Sequence, residues 1–183
     1  MRNINAWLFM TLDGVMEAPE KWAMADDAMY GAIETDYANA DTLLLGRRTY
    51  ETFAASWPQR SSDVQNADWM NNTRKLVAST TLESPAWNNT TVIDGDVSEA
   101  VARLKDEPGQ NVLINGSAAL VRSLLRDNLL DELKLYVHPV AVGSGRRLFE
   151  EDHFDLSLAE THTYDSGVIL LAYTAAPIPA LAK

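Results

Sequence analysis

A chain of 183 residues with a formal net charge of −11 and no cysteine is long enough to bury a real hydrophobic core. Disulfides and thiolate metal sites are excluded. The acidic balance argues against nucleic acid or an anionic membrane as partner, because both need clustered Lys and Arg.

In chain order, residues 4–10 read as a first strand, and Thr11-Leu12-Asp13-Gly14 then turns the chain. Residues 15–25 are irregular and contain Pro19 and Trp22. Asp26 suits a helix N-cap, and Met29, Ala32, Ile33 and Tyr37 follow at helical spacing. Residues 42–45 form a short buried strand that Gly46 ends. Residues 47–53 form a short helix, stopped at Ser56-Trp57-Pro58. A polar stretch, 59–72, carries an exposed helical turn near 66–71. Residues 75–78 and 90–93 are two further short strands. Asp96 with Glu99 resembles a capping box that opens a helix with Val97, Val101 and Leu104 inward.

Val112, Leu113 and Ile114 are an apolar run of the kind a buried parallel strand carries. Asn115-Gly116-Ser117 turns the chain, and Leu120, Val121, Leu124 and Leu125 then mark one face of a helix. Strand, glycine turn and helix together present backbone N–H groups to an anion. One glycine fits an ordinary turn equally well, so this stretch alone does not decide. Residues 131–137 alternate as a half-buried strand. Residues 156–164 and 168–174 flank Asp165-Ser166-Gly167 as a terminal hairpin. The tail after Pro177 has no pattern.

Strands alternate with helices to residue 126, and strands alone follow. This predicts an α/β sheet, parallel in its first part, with antiparallel strands added at the C-terminal end. With no long linker and no repeat, one domain over residues 1–183 is expected. In such sheets ligands sit beyond the carboxyl ends of the strands, which directs attention to Gly46, Ser79 and Gly116. Three arginine- or lysine-containing doublets, Arg47-Arg48, Arg74-Lys75 and Arg146-Arg147, stand out in an acidic chain. The histidines His138, His153 and His162 form no ligand-spaced pair, so no metal is expected. No signal peptide and no membrane span are visible, and a cytoplasmic protein is expected.

Taken together, Thr11-Leu12-Asp13-Gly14, the segment from Leu44 to Glu51, Asn115-Gly116-Ser117, and the segments Leu130–Leu133 and Pro139–Phe149 resemble the dihydrofolate reductase superfamily. The likeness is to the branch that includes the reductase domain of the bifunctional riboflavin-biosynthesis deaminase-reductase. It covers residues 2–174. The resemblance implies a three-layer α/β sandwich: a mixed sheet of about eight strands, its last strand antiparallel, with helices on both faces. It also implies NADPH as cofactor. Gly46, Arg47 and Thr49, with Arg48 beside them, would meet the pyrophosphate. Ser79 and Thr80 would lie at the 2′-phosphate. Asn115, Gly116 and Ser117 would admit the nicotinamide-side phosphate. Ser117 stands where the reductases often have a second glycine.

On the substrate side, the resemblance implies a carboxylate on the first helix. Asp27 follows Trp22 at a similar spacing, with Asp26 left as the cap, and Asp13 is a second candidate. Both also fit as helix-start or turn residues. Trp22 would line the substrate site and Arg146 would meet a substrate phosphate. The expected activity is hydride transfer from NADPH to a small pterin- or aminopyrimidine-like heterocycle. Three alternatives stay open: a riboflavin-pathway aminopyrimidine reductase, dihydrofolate reductase proper, and a non-catalytic nucleotide-binding protein. A homodimer is expected from the resemblance.

Overall fold

The computed structural model describes residues 1–150 and 152–174. The expectation of a patternless tail after Pro177 lies outside the described residues. Eight strands join one sheet: β1 (Ile4–Thr11), β2 (Ala40–Gly46), β3 (Arg74–Ala78), β4 (Thr90–Val92), β5 (Asn111–Asn115), β6 (Glu132–His138), β7 (Ser157–Thr163) and β8 (Ile169–Thr174). Their order is β4-β3-β2-β5-β1-β6-β8-β7. Strands β1 to β6 run parallel through their pairings, while β8 is antiparallel to both β6 and β7.

Five helices cover the sheet: α1 (Asp27–Ala38), α2 (Arg47–Ala54), α3 (Ala67–Asn72), α4 (Val97–Asp106) and α5 (Ala118–Arg126). Helices α4 and α5 press Val101, Leu104, Leu120, Val121, Leu124 and Leu125 onto one face with Ile4, Leu44 and Ile114. Helices α1, α2 and α3 press Met29, Ile33, Tyr37, Tyr50 and Met70 onto the other, against Trp7, Leu43, Leu45 and Tyr136. The central strands β1, β2 and β5 therefore bury both faces, which is why they read as apolar runs, while the edge strand β7 is mostly exposed. This is the three-layer α/β sandwich that the resemblance implied.

The helix starts follow their sequence signals. Asp26 accepts Met29 N–H at 2.9 Å and caps α1. Asp96 accepts Glu99 N–H at 2.9 Å and caps α4. Two expectations fail. The helical turn near 66–71 was to be exposed, yet it buries Ala67 and Met70. Strand β6 was to be half-buried, yet Tyr136 and His138 have no exposure at all. The polar-looking face of β6 is the face that α1 and its aromatic neighbours cover.

Two buried cations tie down the amino ends of the strands. Arg2 bonds Asp41 and reaches Thr42 Oγ1 at 2.9 Å and the Gln110 carbonyl at 2.6 Å. Lys75 is fully buried on β3. It donates to the carbonyls of Asn71, Thr73 and Asn88 at 3.2, 2.9 and 3.0 Å, and lies 4.4 Å from the Trp87 ring. Burial pulls its ammonium down to about 8, while three carbonyl acceptors and the ring face hold the charge. The carboxyl ends are left free for other work.

Candidate functional site

Strands β2 and β5 are neighbours, and each passes into a helix within three residues of its end. Gly116 and Ser117 take φ of 84° and 69°, in the left-handed region. That backbone aims the Ser117 side chain across to the other turn. Its Oγ accepts Gly46 N–H at 2.8 Å and donates to Thr49 Oγ1 at 2.7 Å. The hydroxyl is thus committed to joining the two turns and caps neither helix. The first-turn N–H groups of α2 and α5 have no side-chain acceptor among the described residues and lie at the positive ends of both dipoles.

The glycines have a packing reason. A Cβ at Gly46 would lie 3.0 Å from Ser117 Oγ, and one at Gly116 would lie 3.2 Å from Thr49 Cγ2. They let the two turns close on each other. A side chain at Gly116 would strain the backbone and push Thr49, so this glycine has a packing role whether or not a phosphate approaches it. Above the cradle, Arg47 pairs with Glu51 at 2.8 Å. Arg48 is exposed; its carbonyl accepts the Thr52 hydroxyl at 3.1 Å, while its guanidinium makes no hydrogen bond or ion pair among the described residues. Gly46 is level with Ala78 in the sheet, so Ser79 and Thr80 stand beside the cradle. Ser79 Oγ accepts Thr81 N–H and Leu82 N–H at 3.2 and 3.0 Å, which shapes its own turn. Thr80 is exposed. Asn115 sends its side chain away from the cradle, donating to Tyr37 Oη at 2.8 Å on the α1 face.

The substrate-side residues lie over the ends of β1 and β6, which pair Thr11 with His138. Here the chain at 12–17 is zipped to the chain at 140–147. Leu12 N–H bonds the Val140 carbonyl at 2.8 Å, Met16 N–H bonds the Arg146 carbonyl at 2.9 Å, and Val15 bridges Arg147. Asp13 is part of this zip. It accepts Thr11 Oγ1–H at 2.6 Å, Gly143 N–H at 2.8 Å and Val142 N–H at 3.2 Å. The Thr11 hydroxyl first, then the Gly143 amide, hold its carboxyl at about 2. Asp13 is therefore a loop latch and has no proton to give near neutrality.

Arg146, the residue expected at a substrate phosphate, is paired at this rim. Its guanidinium and its amide both bond Glu17 at 3.2 Å. The Arg146 amide and guanidinium lower the Glu17 carboxyl, and Arg48 adds to the effect. A groove of about 500 Å³ opens beside the rim, lined by Gly145, Arg146, Arg147, Phe149 and Glu150. Another of about 650 Å³ lies by Asn72, Arg74, Trp87 and Thr90 at the amino ends of β3 and β4. That end is remote from the uncapped helix starts.

Of the adjacent acids, Asp26 is the cap that its position suggested. Asp26 caps α1 and also accepts Ser166 N–H at 2.9 Å. Asp27 is exposed at the first position of α1, and its carboxylate makes no hydrogen bond or ion pair among the described residues. Trp22 donates its Nε1–H to the Glu17 carbonyl at 2.9 Å and sets its ring edgewise to His138 at 5.2 Å. His138 is the residue that sequence reasoning missed. It is fully buried at the end of β6, and burial pulls its imidazole down to about 4, so it is neutral near pH 7. Its only sequence signal was the period-two spacing with Lys134 and Tyr136, which read as a solvent-facing row.

A family model described as the RibD C-terminal domain matches residues 2–170. The chain is 30% identical over 181 residues to the uncharacterized protein YyaP of Bacillus subtilis (strain 168), covering 94% of each. Among solved structures it is similar to a putative riboflavin biosynthesis protein from Shewanella sp. PV-4. That match has a TM-score of 0.74 and 18% identity, and covers 95% of this chain and 98% of that one. It is also similar to RibD of Acinetobacter baumannii, with a TM-score of 0.63 and 18% identity. There it covers 95% of this chain and spans 58% of the other.

Proposed function

The chain belongs to the RibD C-terminal domain family, and from that premise we propose that it is an NADPH-dependent reductase of a small pterin- or aminopyrimidine-like heterocycle. The observation that carries the reading is the pair of uncapped helix starts joined by Ser117. Two adjacent sets of unpaired N–H donors, with Arg47 and Arg48 above them, fit a diphosphate. Ser79 and Thr80 beside Gly46 fit the position of a 2′-phosphate, with the Arg47-Arg48 pair as its nearest source of positive charge.

The nicotinamide supplies the hydride when bound. This chain's residues hold and orient. Arg47, Arg48, Thr49 and the α2 and α5 amides bind phosphate. The zipped loops 12–17 and 140–147 wall the ends of β1 and β6 and limit water there. Asp27 is the remaining acid at the substrate side, free to orient the heterocycle or relay a proton to it, since Asp13 is committed to the loop zip. The domain spans the chain and pairs as a homodimer, so light scattering should give twice 20.2 kDa.

Fluorescence titration with NADPH and NADH tests the reading. Preferential NADPH binding is expected. No binding of either at millimolar concentration overturns it, and tighter NADH binding overturns the 2′-phosphate assignment. NADPH binding without oxidation across a panel of pterins and aminopyrimidines would favour a nucleotide-binding protein without catalysis.

A further inference from the structure

His138 takes no part in the cradle, yet its surroundings are built. Its Nδ1 accepts Met24 N–H at 3.3 Å, so the neutral ring carries its proton on Nε2. That Nε2 is buried and has no hydrogen-bond partner among the described residues. Folded proteins seldom leave a buried donor unmatched, and such an atom marks the place of a water or a ligand. Its position favours a ligand. His138 ends β6 beside Thr11 at the end of β1, on the carboxyl edge of the sheet. Phe9 and Trp22 meet its ring edgewise at 5.1 and 5.2 Å and supply flat apolar walls. Its cover includes Trp22 and Met24. They belong to the chain at 18–25, which holds a single 3₁₀ turn and no buried residue, with Met24 41% exposed.

We propose that His138 is a substrate-recognition residue whose Nε2–H donates to a ring carbonyl or ring nitrogen of a planar heterocycle at the Phe9–Trp22 walls, admitted when the segment carrying Trp22 and Met24 lifts and enclosed when that segment returns to hold Nδ1. The ligand class rests on the reductase reading. The donor itself rests on the geometry of the imidazole. With Nδ1 held by Met24, the ring presents only a donor to the site. It therefore selects a heterocycle with an acceptor at that edge and discriminates against an amino group there. His138 positions and selects; it does not supply the proton.

The test uses the full chain labelled with ¹⁵N-histidine. Of the three histidines, His153 and His162 are exposed, so the buried ring is identified by its pH-insensitive Nε2–H form at about pH 6 to 8. With NADPH present, 5,6-diaminouracil or 7,8-dihydrofolate should move the His138 Nε2 resonance. His138→Phe should weaken binding of the same probe by about 10-fold or more and leave NADPH affinity unchanged. His138→Gln, whose amide N–H reaches the same place, should recover part of the loss. An unmoved His138 resonance at saturating probe overturns the proposal. So does equal probe affinity in folded His138→Phe, or failure of both probes to bind the wild-type protein. NADPH titration of the same samples is read separately, so a failed cofactor site is distinguished from a failed His138 assignment.

Discussion

Removing the Ser117 hydroxyl should loosen the joint between the two helix starts. In Ser117→Ala the Gly46 N–H loses its acceptor at 2.8 Å and Thr49 loses its partner at 2.7 Å. An orphaned donor costs about 1–3 kcal/mol and the second hydrogen bond about 1 kcal/mol. Both groups are half-buried, so water recovers part, and a net loss of about 2 kcal/mol is expected. For a chain of this size that lowers Tm by about 4–8 °C. Ser117→Gly loses the same bonds but relieves the left-handed backbone at φ 69°, which returns about 1 kcal/mol. The stability order should be wild type, then Ser117→Gly, then Ser117→Ala, measured by urea denaturation and by calorimetry. Ser117→Ala as stable as wild type would refute the bridging role. Ser117→Ala more stable than Ser117→Gly would refute the backbone argument.

Arg48→Ala should weaken NADPH binding by about 10-fold, the loss of one charge-assisted contact, with stability almost unchanged because the exposed Arg48 guanidinium makes no hydrogen bond or ion pair among the described residues; fluorescence titration beside a thermal melt checks both halves. The Asp13 carboxyl sits at about 2, below its ordinary 3.8, so its stabilisation is complete above the ordinary value and is lost as pH falls toward 2. Melts of Asp13→Asn across that range should lack this acid slope, and a slope equal to wild type would count against the latch. His138 sits at about 4 in the fold, below its ordinary 6.5. The unfolded chain therefore binds the extra proton between those values, and stability falls as pH drops from 6.5 to 4, by on the order of 3 kcal/mol. His138→Gln should be flatter over that window in urea titrations, and an identical slope would contradict the buried neutral imidazole. Lys75→Met strands three carbonyls and should cost about 2–4 kcal/mol; an effect within about 0.5 kcal/mol would mark it as a surface-like site.

Local physics made much of this protein legible in one dimension. Apolar runs such as Val112-Leu113-Ile114 announce strands covered on both faces. Asp26 and Asp96 announce helix starts because a cap is satisfied three residues away, at Met29 and Glu99. The turns at Gly46 and Gly116 stood at strand ends by the same reasoning, and the motif order carried the fold.

The tertiary structure decided what depends on distant partners. The strand order β4-β3-β2-β5-β1-β6-β8-β7 is set by which faces and edges the helices cover, and spacing within one strand carries no trace of that. Ser117 acquires its role from Gly46, 71 residues away. Asp13 is locked by Gly143, 130 residues on, and Arg146 by Glu17, 129 residues back. Each of these three looked like an available functional group in the sequence, because nothing in a linear pattern shows that a polar side chain is already bonded. His138 failed in the opposite direction. Its alternating neighbours read as a solvent-facing row, and only the packing of α1, Phe9 and Trp22 on that face turned the imidazole into a buried, neutral and unmatched donor. The sequence sets each residue's capacity to bond, and the fold settles which bonds remain to be made.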